Sequence, residues 1–225
     1  MDYSSILTWY NNVIEELDKI LNIVPYNENN KNVVIPKLSS LIIETGCLLD
    51  TVFFELSTSD KDTPNITDYR KQYEAELGLS MIKILFYSDE PVVLQPFMQW
   101  GNAVDNNLSW WQHYNKLKHE RLTSMKVSTL ETAINIIAGL SVFISRSVSF
   151  FDILNRNDLI ITNSNPDYIK KEYNSIWITR HHEVSFENKL FLIPFGMDSF
   201  PENINDVNTW IYMSKKIKRY FSRWG

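Results

Sequence analysis

Apolar residues recur at helical spacing from the start of the chain, at Ile6, Trp9, Val13, Ile14 and Leu17, with Ile20 and Leu21 continuing the stripe. This predicts a first helix that ends before Pro25. The polar run Asn27 to Asn32 reads as a loop. After it Pro36 is placed to open a second helix through LSSLIIETGCLLDTVFFEL, whose apolar content predicts burial on most sides. STSDKDTPN ends that helix. Thr67 and Asp68 can cap a third, because Tyr69, Tyr73, Leu77, Met81 and Leu85 follow at steps of four. Pro91 and Pro96 in SDEPVVLQPF then predict an irregular connector with one short strand.

Ser109 with Gln112, and Ser128 with Glu131, have the spacing of capping boxes, so a short helix and then a long one running to about Leu154 are expected. Gly139 falls in the middle of the long helix, where glycine costs about 1 kcal/mol relative to alanine. Close packing against a neighbouring helix is the expected reason. Beyond Asn155 the period changes, and LIITN, SIWITR and LFLIPF read as short strands separated by polar turns. The stretch TWIYMSKKIKRYFSRWG reads as a basic amphipathic helix.

Composition narrows the class. With 225 residues and 44% hydrophobic residues the chain can bury a sizeable core, and 13% aromatics against 22% charged residues exclude a disordered chain. The net charge of -5 argues against a surface that coats nucleic acid over its whole extent, and leaves room for a local basic patch. Cys47 is the single cysteine, which excludes an internal disulfide and a thiolate metal cluster; it reads as a core thiol. The acidic first helix lacks the basic start and cleavage site of a signal peptide, and the apolar stretch from Ala133 to Phe151 is interrupted by Asn135 and Arg146. No membrane association and a cytoplasmic location are therefore expected.

The densest group of chemically able side chains is WWQHYNKLKHER, Trp110 to Arg121. On a helix starting near Trp110, Asn115 and His119 are one turn apart on the same side, while Tyr114 and Leu117 face a core. An amide, an imidazole and the cations Lys116, Lys118 and Arg121 suit a phosphodiester. Histidine can take a proton from a ribose hydroxyl or give one to a leaving oxygen, and the cations can stabilise the charge of the transition state. Attack by the 2′-hydroxyl of RNA needs no metal and no cofactor, and no acidic cluster near the segment has an evident divalent-ion spacing. Trp110 and Trp111 read as packing residues before a base-stacking platform.

YNKLKHER, followed after a short break by STLETAINIIAGLSVFISRS, resembles the signature region of the HEPN superfamily of helical-bundle proteins. That superfamily often carries an Arg, a polar residue, three variable residues and a His just before its final long helix. Asn115 matches the polar position and His119 the His, while Tyr114 stands where the arginine would be. The resemblance covers roughly residues 1–155. It implies a metal-independent endoribonuclease, commonly a homodimer that brings two motifs into one cleft, in toxin-antitoxin, antiphage defence or CRISPR-linked systems. It also admits a catalytically inactive binding or scaffolding member that interacts with a protein partner or antitoxin.

The fold expected is mainly α: an antiparallel helical bundle over 1–155, and a small C-terminal α/β appendage over 156–225 carrying the short strands and the basic helix. Arg180, His181, His182 and Glu183 form a polar knot, but adjacent residues on a strand point to opposite faces and make a poor metal site. The basic C-terminal helix could follow an RNA backbone, or pack its apolar stripe and leave its lysines in water. His113 lies off the His119 face and reads as a partly exposed polar contact. The rival to an enzyme is an interaction protein in which Trp110, Trp111 and Tyr114 are purely structural and the C-terminal element binds a partner.

Overall fold

A computed structural model describes residues 1–88, 91–102, 107–162, 164–171, 173 and 184–194. The expected strand SIWITR, the knot Arg180 to Glu183 and the basic C-terminal helix lie outside the described residues. Among those described, the chain is mainly α, with seven α-helices and a small antiparallel sheet of five strands. No single helix among them is long and apolar enough to cross a membrane.

The chain divides into two compact units, Met1–Met81 with Pro96–Leu140, and Ile82–Gln95 with Ser141–Gly225. In the first unit α1 (Tyr3–Leu21) starts on Asp2, whose carboxylate accepts from the Ser4 and Ser5 amides and so satisfies two of the helix's free N–H groups. It buries Ile6, Val13, Ile14, Leu17, Ile20 and Leu21 along the stripe the periodicity predicts, and Tyr10 besides, but Trp9, counted in that stripe, is exposed. Helix α2 (Pro36–Leu56) has Pro36 in its first turn and packs against both α1 and α4 (Ser109–His119). Helix α3 (Ile66–Leu77) is capped by Asn65, not by Thr67 and Asp68: the Asn65 side chain accepts from the Asp68 amide while Asp68 accepts from the Asn65 amide. It ends at Gly78, whose φ of 59° reverses the chain, so the apolar spacing that runs on to Met81 and Leu85 does not extend the helix.

Helix α5 (Leu130–Arg146) begins where the amides of Leu130 and Glu131 donate to the carbonyls of Val33 and Lys31, and the Thr132 amide donates to Thr129 Oγ1. The cap is therefore Thr129 together with a distant loop, and the box expected from Ser128 and Glu131 does not form. The box expected from Ser109 and Gln112 is absent as well, since α4 starts on Leu108 with no side-chain cap. Gly139 meets the reason expected of it: a Cβ there would lie 3.2 Å from Trp110 of α4.

The second unit holds the sheet, in the order β2-β1-β5-β4-β3. Strand β1 (Ile84–Phe86) falls where the spacing of the third helix was expected to continue, and β2 (Val92–Leu94) falls in the connector expected to hold one short strand. They join β3 (Ile160–Thr162), β4 (Val184–Glu187) and β5 (Phe191–Pro194) through the pairing of Leu85 with Leu192. The sheet thus takes strands from before residue 155 as well as after it. The long helix expected to reach Leu154 stops at Arg146. A 3-10 turn at Val148–Phe150 separates it from α6 (Phe151–Arg156), and α7 (Pro166–Lys171) follows β3. Glu187, fully buried in β4, accepts a hydrogen bond from the Tyr87 hydroxyl at 2.9 Å, as a buried carboxylate requires.

Candidate functional site

Helix α4 carries its packing residues on one side and its candidate site residues on the other. Trp110, Trp111, Tyr114 and Leu117 are buried, a spacing of three and four that points one face inward. The Trp110 indole donates to the Pro96 carbonyl at 2.7 Å, so a ring that could stack on a base is instead pinned inside the unit. Trp111 lies against Phe53 and Tyr114, with ring centroids 6.0 and 5.2 Å away.

Tyr114 is wholly buried and lies flat on Gly46 of α2. A Cβ at Gly46 would come within 2.2 Å of the Tyr114 ring, so only glycine permits this approach. The Tyr114 hydroxyl donates to Cys47 Sγ at 3.6 Å, and burial moves its pKa upward. Cys47 itself is only half-buried rather than a core thiol. The position of Tyr114 is thus a packing position, closed to solvent.

The outward residues divide into two sets. Asn115 is half-buried and His119 exposed, one turn apart at the C-terminal end of α4, and among the described residues neither side chain has a hydrogen-bond partner. Lys116 is exposed beside them and is likewise without an ion-pair partner among the described residues. Lys118 and Arg121 turn instead to α2. Lys118 Nζ is 3.7 Å from the Asp50 carboxylate and 5.4 Å from the centre of the Tyr114 ring. Burial raises the Asp50 pKa and Lys118 works against that rise. The Arg121 guanidinium donates to Ser39 Oγ at 3.1 Å and to Ser40 Oγ.

Of the five proposed site residues, then, α4 brings Asn115, Lys116 and His119 to one open surface, while Lys118 and Arg121 are engaged by side chains of α2. Asp50, Ser39 and Ser40 are the residues that sequence reasoning missed. Ser40, Glu44, Cys47 and Asp50 fall at steps of three and four along the less buried side of α2, and that interruption of an apolar helix was the only signal for Ser40 and Asp50; buried Ser39 had none.

His113 is half-buried, as read, with Nδ1 3.0 Å from Thr132 Oγ1. Burial lowers its pKa, Lys116 lowers it further, and Glu131 opposes them. A cavity of about 20 Å³ lined by Arg70, Trp100, Trp111 and Gln112, among others, has room for one water, and neither Asn115 nor His119 is in its wall. Among the described residues no group of three or more His, Cys, Asp or Glu side chains could hold a metal ion. No protein-family model, curated protein or solved structure matches the chain.

Proposed function

We propose that this chain is a HEPN-like helical-bundle protein acting as a metal-independent RNA endonuclease, working as a homodimer in a toxin-antitoxin or antiphage defence setting. The observation that carries the reading is the pair Asn115 and His119: one turn apart, open to solvent, and uncommitted to any other described side chain. A catalytic imidazole needs that freedom to reach a ribose hydroxyl or a leaving oxygen. In this mechanism His119 moves the proton of the attacking 2′-hydroxyl or of the leaving 5′-oxygen, one from each subunit's motif. Asn115 orients the imidazole or the phosphate. Lys116 offers the free positive charge, and Lys118 and Arg121 contribute on release from Asp50 and from Ser39 and Ser40.

The test compares cleavage of a mixed RNA pool, with chelator present, by the wild type and by His119→Ala. Loss of cleavage in the variant supports the reading. Undiminished cleavage sinks the role of His119, and a wild type without cleavage sinks the enzyme.

A second reading is favoured by one feature, the burial of Tyr114 on Gly46. With the arginine position given over to packing and two cations already paired, the motif fits a catalytically inactive HEPN-like binding or scaffolding protein that engages a protein partner. Lysine does not reproduce the planar two-pronged grip of a guanidinium on phosphate. RNA retention without turnover distinguishes this case.

A further inference from the structure

Between α1 and α2 of the first unit lies a groove of about 420 Å³, open to solvent and lined by Ser4, Ser5, Thr8, Trp9, Asn12 and Glu44. Its floor is unusual for a surface. Trp9 is 44% exposed, and its indole N–H donates to Glu44 Oε1 at 2.7 Å, which fixes the ring in place. An exposed tryptophan held rigid by a carboxylate presents a flat, electron-rich face beside a negative charge.

The polar atoms around that face are mostly acceptors. Glu44 Oε2 is not used by the indole, the Asn12 side chain has no partner among the described residues, and the Thr8 hydroxyl spends its proton on the Ser4 carbonyl, leaving its oxygen free to accept. Among the described residues no cation lines the groove, and the lysines nearest in sequence on the two helices, Lys19 and Lys37, are each 2.7 Å from Glu16. An anion would find no countercharge here. A flat cation rich in N–H donors meets a matching surface: its plane stacks on the indole and its edge donates to Glu44 and Asn12.

We propose that this groove is a docking site for an arginine side chain displayed by a protein partner. The openness of the groove points to a presented side chain, since a free small molecule needs a more enclosed pocket to bury most of its surface. The net charge of -5 favours a basic partner over long range. The site is independent of any RNA chemistry at His119.

The test follows the Trp9 indole ¹H–¹⁵N signal of the full chain, assigned by its absence in Trp9→Phe, during titration with the peptide acetyl-GGRGG-amide. The matched peptide with citrulline, which keeps the shape and loses the charge, is the control, with a short uridine oligonucleotide as a third arm. A saturable shift is expected with the arginine peptide. Binding should be about tenfold weaker with citrulline, and weaker to a similar degree in Glu44→Gln. No shift with the arginine peptide, an equal response to citrulline, or tighter binding of the oligonucleotide would each overturn the proposal. The outcome does not depend on whether the protein cleaves RNA, so the two readings fail separately.

Discussion

Replacing Gly46 with alanine tests the packing that defines the candidate site. The new Cβ would lie 2.2 Å from Tyr114 Cδ2 and 2.5 Å from both Cε2 and Cγ, so it meets the face of the ring, not a flexible tip. The ring has little room to move: it is wholly buried and 5.2 Å from the Trp111 ring, with its hydroxyl held by Cys47. Overpacking a core costs about 1–3 kcal/mol, and a contact this short belongs at the upper end. Alanine recovers about 1 kcal/mol of helix propensity over glycine. The net expectation is a loss of about 2 kcal/mol, or about 4–8 °C in Tm for a chain of this length. Gly139→Ala is the internal control, since its Cβ would stand 3.2 Å from the Trp110 ring, a contact the ring edge can relieve by a few tenths of an ångström. There the propensity gain offsets the contact and stability should change by no more than about 0.5 kcal/mol. Urea unfolding followed by near-UV circular dichroism measures both. A Gly46→Ala protein as stable as the wild type, or a Gly139→Ala protein as damaged as Gly46→Ala, would refute the assignment of Tyr114 to a closed packing position.

Trp110→Phe removes the buried donor to the Pro96 carbonyl and should cost about 1–3 kcal/mol in the same urea assay; a loss below about 0.5 kcal/mol would contradict that bond. His113 titrates below its ordinary value because burial and Lys116 disfavour its cation. The unfolded chain therefore takes up its proton first, and the His113 contribution to stability, complete above about pH 6.5, is lost as pH falls through the lowered folded value. His113→Gln should flatten that part of the stability profile between about pH 7.5 and 5, and an unchanged difference between variant and wild type across the range would count against it. If RNA is cleaved, Lys116→Ala should lower kcat/KM more than Lys118→Ala or Arg121→Ala, because only Lys116 among the three is free of a side-chain partner among the described residues. The reverse order would mean that the α2 contacts open when RNA binds.

The helices of the first unit were readable where the apolar spacing met a local punctuation mark, as with Pro36 at the head of α2. Reading failed where the stop was local but the apolar spacing ran on. Gly78 ends α3 although Met81 and Leu85 keep the period, and the turn at Val148–Phe150 ends the run through α5 although the chain stays apolar. Strand β2 fits the one short strand expected between Pro91 and Pro96, but β1 was hidden for another reason. It is three residues long and finds its second partner in β5, about a hundred residues away, where no local pattern can announce it. The spacing of Asn115 and His119 was visible because one helix carries both. The restraint on Lys118 and Arg121 was not, because it comes from α2, some seventy to eighty residues earlier.

Tyr114 joins these observations into one constraint. Its side chain faces inward because positions 110, 111, 114 and 117 share the buried face of α4, and it fits because α2 offers Gly46 opposite. A guanidinium put at 114 in this packing would enter the same closed space, where the carboxylate within electrostatic reach, Asp50, already faces Lys118, and such a burial costs several kcal/mol. The tyrosine is therefore one half of a Tyr-Gly packing pair and cannot be exchanged alone. Any positive charge used at the Asn115–His119 surface has to come from the outward side of α4 or from the loop after it, which is where Lys116, Lys118 and Arg121 stand. Since α2 already holds two of the three, the charge at that surface depends on the Asp50 carboxylate and the Ser39 and Ser40 hydroxyls as much as on the cations themselves.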